Sequence, residues 1–447
     1  MTHSWRWDSD FRLLKEASVV GPCWVAVSSR HLLSHGWIEM KTACTLLALL
    51  FLACGAVRAQ VVPAATGPGG PPITGNLHYA FRYSQIAEFG SDMDTFQTST
   101  PSLSLDYANE KKGHPFNLNY SGGYTWTLSG PDYSSGLFQR MLLSQAMFWR
   151  KWNVRISDDV SYRPQAPTTG FSGIPGIGEP IGSPYPPSGQ SILTLNSRVV
   201  ENTATSEIQR NLDYGSFLGF GGGSDLLRYP DGSGLDTNTW MANAGLTWRL
   251  NARNSISPDY RFSQFSYPLY GFSFTTNSAL MGFKRSWNKK ITSDVSAGPE
   301  FTSSSDSTAV PSSIGLAVDS ALTYQFRFVS ASLTYNRQTN GGSGYYFGSQ
   351  VDTINGSLSR EFGRDLHVGI VASFARTAGL QNNGVTNSRY GGAQVSRRMG
   401  RYISAFANYT AMDQSSSAHL PANALNQLLH VVSFGMEYSP LEIHLNP

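Results

Sequence analysis

Long hydrophobic runs are absent from this 447-residue chain. No stretch reaches 18 apolar residues, so membrane-spanning helices, which need about 20, are excluded. Charged residues are also sparse, at 14% of the chain, and the formal net charge is only +3. So small a charge argues against a nucleic-acid partner, because nucleic-acid-binding domains carry strongly basic surfaces.

Cysteine is missing from residues 60–447, since the three cysteines are Cys23, Cys44 and Cys54. That part of the chain can form no disulfide framework, thiol nucleophile or Cys-ligated zinc site. The sequence motifs of serine hydrolases, zinc proteases and phosphate-binding loops are missing too. We therefore expect no enzyme activity, catalytic residue, cofactor or bound metal. A lipase or protease site formed in the folded wall stays an alternative.

The first 59 residues differ from all that follows. A signal peptide is predicted at 40–59: Lys41 supplies the positive charge, an apolar run covers 43–53, and a small-residue cleavage site ends at Ala59. We expect translation to start at Met40, which makes residues 1–39 an upstream extension. A lipoprotein anchored through Cys54 is the alternative. Residues 1–59 hold six Lys/Arg and four Asp/Glu, so their removal lowers the net charge from +3 to +1.

Strict alternation of apolar and polar residues appears in residues 116–128, FNLNYSGGYTWTL. Every second residue from Phe116 is Phe, Leu, Tyr, Gly, Tyr, Trp or Leu, and the residues between are uncharged and polar. Because successive side chains of a strand point to opposite faces, the segment predicts a strand with one apolar face. Tilted strands of about 9–11 residues cross a bilayer. A single strand of a soluble sandwich or propeller would look the same, so the repetition of the pattern decides.

The pattern recurs from residue 76 to 438, and the segments are joined by connections of two alternating lengths. Short turns and longer Ser/Gly/Asn/Pro loops alternate, as they do in outer-membrane barrels. The short turns are 109–115, 150–153, 212–215, 251–254, 287–290, 327–329, 363–365 and 399–401; the loops are 90–97, 129–136, 164–190, 230–235, 267–272, 304–312, 340–348, 379–385 and 413–425. Counting gives about 18 strands, and 16 stays open because 137–150 and 191–229 alternate poorly.

The last alternating segment, Val432 to Tyr438, resembles the C-terminal assembly signal of outer-membrane proteins, although Ser439-Pro440 and seven more residues follow it. With the signal peptide and the missing cysteines, the chain resembles a porin-like outer-membrane β-barrel protein of Gram-negative-type bacteria. The resemblance implies an all-β, antiparallel up-and-down transmembrane barrel. It also implies outer-membrane lipid and the barrel-assembly machinery as partners, and leaves a homo-oligomer open. The predicted organisation is upstream extension 1–39, signal peptide 40–59, Pro/Gly linker 60–75, barrel 76–439 and periplasmic tail 440–447.

The polar faces of the predicted strands carry charges of both signs. In a barrel of 16–18 strands these faces enclose water, because side chains alone cannot fill so wide a ring. The candidate pore-lining residues are Arg82, Asp106, Arg249, Asp294, Glu300, Asp319, Arg327 and Glu437. They predict passive diffusion of small hydrophilic solutes. The alternative is a barrel with a structural, adhesin or surface-receptor role carried by its external loops.

Two further expectations concern particular segments. In many general porins the third external loop narrows the pore, and residues 164–190 would be that loop here. Seven prolines restrict its conformations, while its apolar residues favour packing against the barrel. The candidate constriction residues are Phe171, Glu179 and Tyr185. In the strand around Val154 to Val160, Asp158 falls on the apolar face, and a β-bulge would be needed to turn it inward.

Overall fold

The structure, a computed structural model, describes residues 76–90, 96–109, 113–129, 135–165, 192, 197–212, 215–306, 309–363, 365–381, 384–417, 425, 428–441 and 443–444. The predicted upstream extension, signal peptide and linker lie outside the described residues. So does most of the predicted constriction loop. Within the described residues, no helix has the length and hydropathy needed to cross a membrane.

Eighteen long strands form one antiparallel sheet in chain order. They are β1 Asn76–Gly90, β2 Phe96–Asn109, β3 Phe116–Ser129, β4 Gly136–Phe148, β5 Trp152–Gln165, β6 Ser197–Asn211, β7 Phe217–Arg228, β8 Thr237–Arg249, β9 Asn254–Tyr267, β10 Phe272–Ser286, β11 Ile291–Ser304, β12 Ser313–Phe326, β13 Val329–Asn340, β14 Ser349–Phe362, β15 Leu366–Gly379, β16 Val385–Arg398, β17 Ile403–Ser416 and β18 Leu429–Tyr438. Short 3-10 helices occupy Pro268–Tyr270 and Gly342–Gly344. The predicted up-and-down order is confirmed.

The sheet closes on itself because β1 pairs with both β2 and β18. Arg82 of β1 stands directly opposite Glu437 of β18, and the pairing runs from Phe81–Tyr438 to Gly90–Leu429. Closure leaves no open sheet edge, so every strand has neighbours for its backbone groups. The predicted antiparallel barrel of 18 strands is therefore confirmed.

Beyond β18 the chain turns back and adds a two-residue strand, β19 Ile443–His444, to the start of β1. Ser439 also connects this C-terminal segment to β1, because its Oγ lies 2.7 Å from Nε2 of His78 on the inner face of β1. Part of the segment predicted as a tail therefore pairs with the sheet.

The wall of the barrel is inverted relative to a soluble protein. On β3 the outward residues Tyr124, Trp126 and Leu128 are 38–57% exposed, whereas the inward Thr125 is only 2% exposed. The same contrast holds on the other strands: large apolar side chains stand exposed on the outer face, and Thr and Ser side chains are buried on the inner face. Such a surface suits a hydrocarbon solvent outside and a polar interior.

Strand β4, whose alternation is poor, shows why sequence alone left 137–150 uncertain. Its inward positions include Phe138, which is buried, and Leu142, while Gln139 and Gln145 point outward. Both faces thus mix apolar and polar residues. Strand β5 reaches Gln165, so the first two residues of the loop expected at 164–190 belong to the strand.

Candidate functional site

The eight candidate pore-lining residues lie on the inner face or in a short turn. Seven belong to strands and share the face of the buried Ser and Thr residues; Arg327 occupies the turn between β12 and β13, with a φ of 25°. Arg249 and Asp294 lie near the short-turn end, where the Arg249 Nε donates to the Asn251 carbonyl and Lys284 Nζ lies 3.8 Å from Asp294 Oδ2. Asp106 accepts a 2.6 Å hydrogen bond from Asn119. Phe171, Glu179 and Tyr185 fall outside the described residues.

The closing seam carries one charged pair of the inner wall. Arg82 and Glu437 are cross-strand neighbours, and the Arg82 guanidinium lies 3.8 Å from the centre of the Phe406 ring. The ring holds the cation against the wall by a cation–π contact. The sequence predicted that both charges lie on inner strand faces, but it did not give the register in which the first strand pairs with the last.

A second group of charges joins β9, β12 and β13. The Arg261 guanidinium donates to Asp259, at 2.7 Å, and to Asp319. Asn336 also donates to Asp319. Strands β10 and β11 lie between β9 and β12, so the contact between Arg261 and Asp319 spans two intervening strands. Asp319 was predicted from sequence, whereas Asp259 and Arg261 were missed.

A third charged pair lies on β4 and β5. Arg140 donates to both carboxylate oxygens of Asp159, from Nε at 3.0 Å and from Nη2 at 2.6 Å. Both side chains are about 30% exposed. Sequence reasoning missed this pair because the alternation of β4 does not reveal its inner face.

Two apolar clusters cover parts of the inner wall near the long loops. Phe265, Tyr267, Phe272 and Phe274 form a stacked cluster there, with ring centres 4.7 Å apart for Phe265 and Phe274. A second cluster joins β1 and β16–β18 and packs on Leu425 of the loop between β17 and β18; its members are Ile86, Tyr390, Met412, Leu425, Leu429 and Val431. Apolar side chains of the inner wall are thus shielded by chain that enters the barrel.

Residues 341–348, here called the inward loop, provide much of that cover. Tyr267 Oη donates to the Gly341 carbonyl at 3.1 Å, and Phe347 packs edge-on against Tyr267, with ring centres 5.1 Å apart. Towards β16, Tyr346 Oη lies 3.0 Å from Thr386 Oγ1. Because these partners are inward residues of β9 and β16, the inward loop lies inside the ring of strands.

The sequence of the inward loop explains its turn. Gly342, Ser343 and Gly344 have φ values of 76°, 54° and 76°, a left-handed run that glycine adopts without cost. All three residues are buried. The backbone of the inward loop is also bound to the connection between β7 and β8, because the Leu235 N–H donates to the Gly344 carbonyl oxygen at 2.6 Å. The glycine run followed by Tyr345, Tyr346 and Phe347 is the signal that sequence reasoning could have used.

Glu300 links the inner wall to the base of the inward loop. Its carboxylate accepts hydrogen bonds from Ser278 on β10 and from both the N–H and the hydroxyl of Thr339 at the end of β13. Glu300 is only 4% exposed. This carboxylate therefore fastens the loop's base to β10 and β11 and does not face open lumen.

Comparison with known proteins gave structural similarity only. No family model matches the sequence, and no curated protein matches it. Solved structures similar to the barrel include Pseudomonas aeruginosa OccK2 (OpdF), at 10% identity and a TM-score of 0.46, covering 83% of this chain and 98% of that one. Acinetobacter baumannii OccAB4 has 7% identity and a TM-score of 0.45, covering 84% and 100%.

A belt of basic–aromatic pairs marks the short-turn end of the barrel. In each pair a Lys or Arg lies over an aromatic ring, at 3.6–5.5 Å from the ring centre: Arg210–Trp152, Arg285–Trp287, Lys290–Phe326, Arg360–Phe362 and Arg401–Tyr402. Aromatic girdles occupy the membrane–water interfaces of such barrels, and long basic side chains reach from there towards headgroups.

No group of three or more His, Cys, Asp or Glu suited to a metal ion occurs within the described ranges. Charged and polar side chains line the inner wall, and the inward loop lies inside the ring of strands.

Proposed function

We propose that this chain is an outer-membrane channel for the passive diffusion of small hydrophilic solutes. The observation that carries the proposal is the inverted wall of a closed 18-strand barrel, with exposed apolar residues outside and buried polar and charged residues inside. A ring of this size is too wide for side chains to fill. Arg140–Asp159 and Arg261–Asp319 place both signs of charge along it, which suits polar solutes of either charge.

The direct test is single-channel recording of the purified protein in planar bilayers, together with swelling of protein-containing liposomes in small sugars. We expect stepwise conductance and sugar-dependent swelling. A correctly assembled barrel that shows neither would favour the other function, in which external loops act as an adhesin or receptor on a closed barrel. The buried apolar clusters under the loops are the observation that favours this second function.

The orientation that belongs to this proposal places the short turns in the periplasm, after export by a signal peptide ending at Ala59 and insertion by the barrel-assembly machinery. Short periplasmic turns and longer external loops are usual in this class of barrel.

Cysteine labelling of intact cells tests that orientation. We expect a membrane-impermeant maleimide to label Leu269→Cys, because Leu269 is 76% exposed in the connection between β9 and β10. The same reagent should miss Lys289→Cys in the short turn after β10. The two positions lie at opposite ends of the same strand, β10. Labelling of each variant in lysed cells, where both sides of the membrane are accessible, gives the maximum against which labelling of intact cells is compared. Labelling of Lys289→Cys but not Leu269→Cys on intact cells would reverse the topology.

Charge selection by the inner wall gives a further prediction. Asp159→Asn removes a negative charge beside Arg140, so the reversal potential in a salt gradient should shift towards anions. Asp158→Asn is the matched control, since it makes the same chemical change one residue away on the outer face. An equal shift for both variants would show that the inner wall does not select the ions.

A further inference from the structure

Asp158 lies on the outer face of the barrel, midway along β5. Strand β5 pairs with β4 and β6 without a register shift, so the bulge that would turn this side chain inward is absent. Its cross-strand neighbours are Leu143 and Ala204, on the same outward face. Among the described residues, the other outward strand carboxylates, Asp352 and Asp413, lie within four residues of the long-loop ends of their strands.

Within the described part of the chain, one hydrogen bond, from Asn202, partly satisfies this carboxylate. The Asn202 amide of β6 donates to Asp158 Oδ1 at 2.8 Å, and both side chains are partly exposed. A carboxylate has room for several donors, and hydrocarbon provides none. An ionisable side chain in the middle of a lipid-facing wall is costly, and such residues generally mark a functional contact.

The surface beside Asp158 is built of small residues on three successive strands. Ser206, Gly222 and Ala242 form one cross-strand row, and Ala204 and Ser224 lie in the next row. Large side chains border this recess: Ile156 is 47% exposed, Phe220 45% and Trp240 57%. Small residues permit close approach of another surface in a membrane, where packing drives association.

We propose that this outer face of β5–β8, here called the polar patch, is the contact surface for a second copy of this chain. The inference rests on the membrane location proposed above and on no particular solute. Two copies inserted in the same direction are related by an axis along the membrane normal, so residues meet at equal depth. The polar patch then faces itself.

The polar patch has the features that a self-complementary contact needs. It contains an acceptor, Asp158, and donor groups in Asn202 and Ser224 at similar depth. It also contains a large projecting side chain, Trp240, beside a recess of small ones. Contact with a second copy would provide hydrogen-bond donors for the Asp158 carboxylate, which lipid tails lack. It would also fill the recess with packed side chains more closely than lipid tails can.

Cross-linking in isolated outer membranes tests the proposal. Ala242→Cys places a thiol in the polar patch, and Ala393→Cys on β16 is the matched control, because it is also an exposed outward alanine on the opposite side of the ring. The same treatment of the unaltered protein measures how much cross-linking the chain's own cysteines produce. We expect a short bis-maleimide to yield a cross-linked dimer with Ala242→Cys and not with Ala393→Cys.

A second variant separates contact from random collision. Ala204→Trp fills the recess without changing charge, so it should lower the Ala242→Cys cross-linking at least several-fold while the barrel stays heat-modifiable. Equal cross-linking at both positions, or a monomer mass in native mass spectrometry with no Ala242→Cys dimer, would overturn the proposal and leave the patch facing lipid. Conductance recorded on the same samples tests channel function separately.

Discussion

Shortening the inward loop should raise the single-channel conductance by roughly two-fold, because the loop touches inward residues from β8 to β16, about half of the ring. The variant replaces residues 341–348 by Asn-Gly, a two-residue turn suited to the hairpin between Asn340 and Ser349. Ion flow through the barrel increases when a constriction is removed. The measurement is conductance in planar bilayers at fixed salt.

The control for this variant is Leu269→Ser. Leu269 lies in the neighbouring connection at the same end of the barrel and is 76% exposed, so its replacement alters the mouth without releasing the inward loop. Heat-modifiability in gel electrophoresis verifies that both variants form the barrel. Unchanged conductance in an assembled loop variant would show that the limiting constriction lies elsewhere. The constriction loop predicted from sequence was 164–190, and its part beyond β5, residues 166–190, would then be the next segment to shorten.

Gly298→Val should largely prevent assembly of the barrel. A Cβ at Gly298 would lie 1.8 Å from the carbonyl oxygen of Ala279, which is backbone and cannot rotate away. The pairing of β10 with β11 is interrupted here, between Ser278–Glu300 and Met281–Ala297. Overpacking against backbone should destabilise the barrel by about 3 kcal/mol or more. Loss of the heat-modifiable form and a lower midpoint in urea unfolding are the expected results.

Gly391→Val is the matched control for this prediction. Gly391 also lies in a strand, on the outer face of β16, and a Cβ there meets nothing within 4 Å. Because valine favours strands more than glycine does, this variant should assemble at least as well as the parent protein. Normal assembly of Gly298→Val would mean that β10 and β11 separate at no great cost.

Much of the barrel could be predicted from the sequence because the information is local. Alternation with a period of two fixes which residues of a strand share a face, as in the set from Phe116 to Leu128. Two alternating lengths of connection fix the direction of successive strands. The inner-face assignment of Arg82, Asp106 and Asp319 needed no more than this. Where alternation fails, as in β4, the sequence did not assign Arg140 to a face.

Contacts between distant parts of the chain could not be read from that local pattern. Arg261 reaches Asp319 across two intervening strands, and Tyr346 reaches Thr386 only because the inward loop enters the ring. The sequence predicted the proline-rich segment 164–190 as the constriction, and most of that segment lies outside the described residues. Among the described residues, the glycine-rich loop 341–348 lies inside the barrel, which the sequence did not predict.

The sequence by itself therefore determined that the chain forms alternating strands, about 18 or 16 of them, and the polarity of their two faces where alternation is strict, since each depends on neighbouring residues. Only the tertiary structure decided which loop enters the lumen, which charges pair and that Asp158 stays on the outer wall. Those outcomes depend on ring closure and strand register, which bring together residues such as Arg82 and Glu437 from opposite ends of the barrel-forming chain.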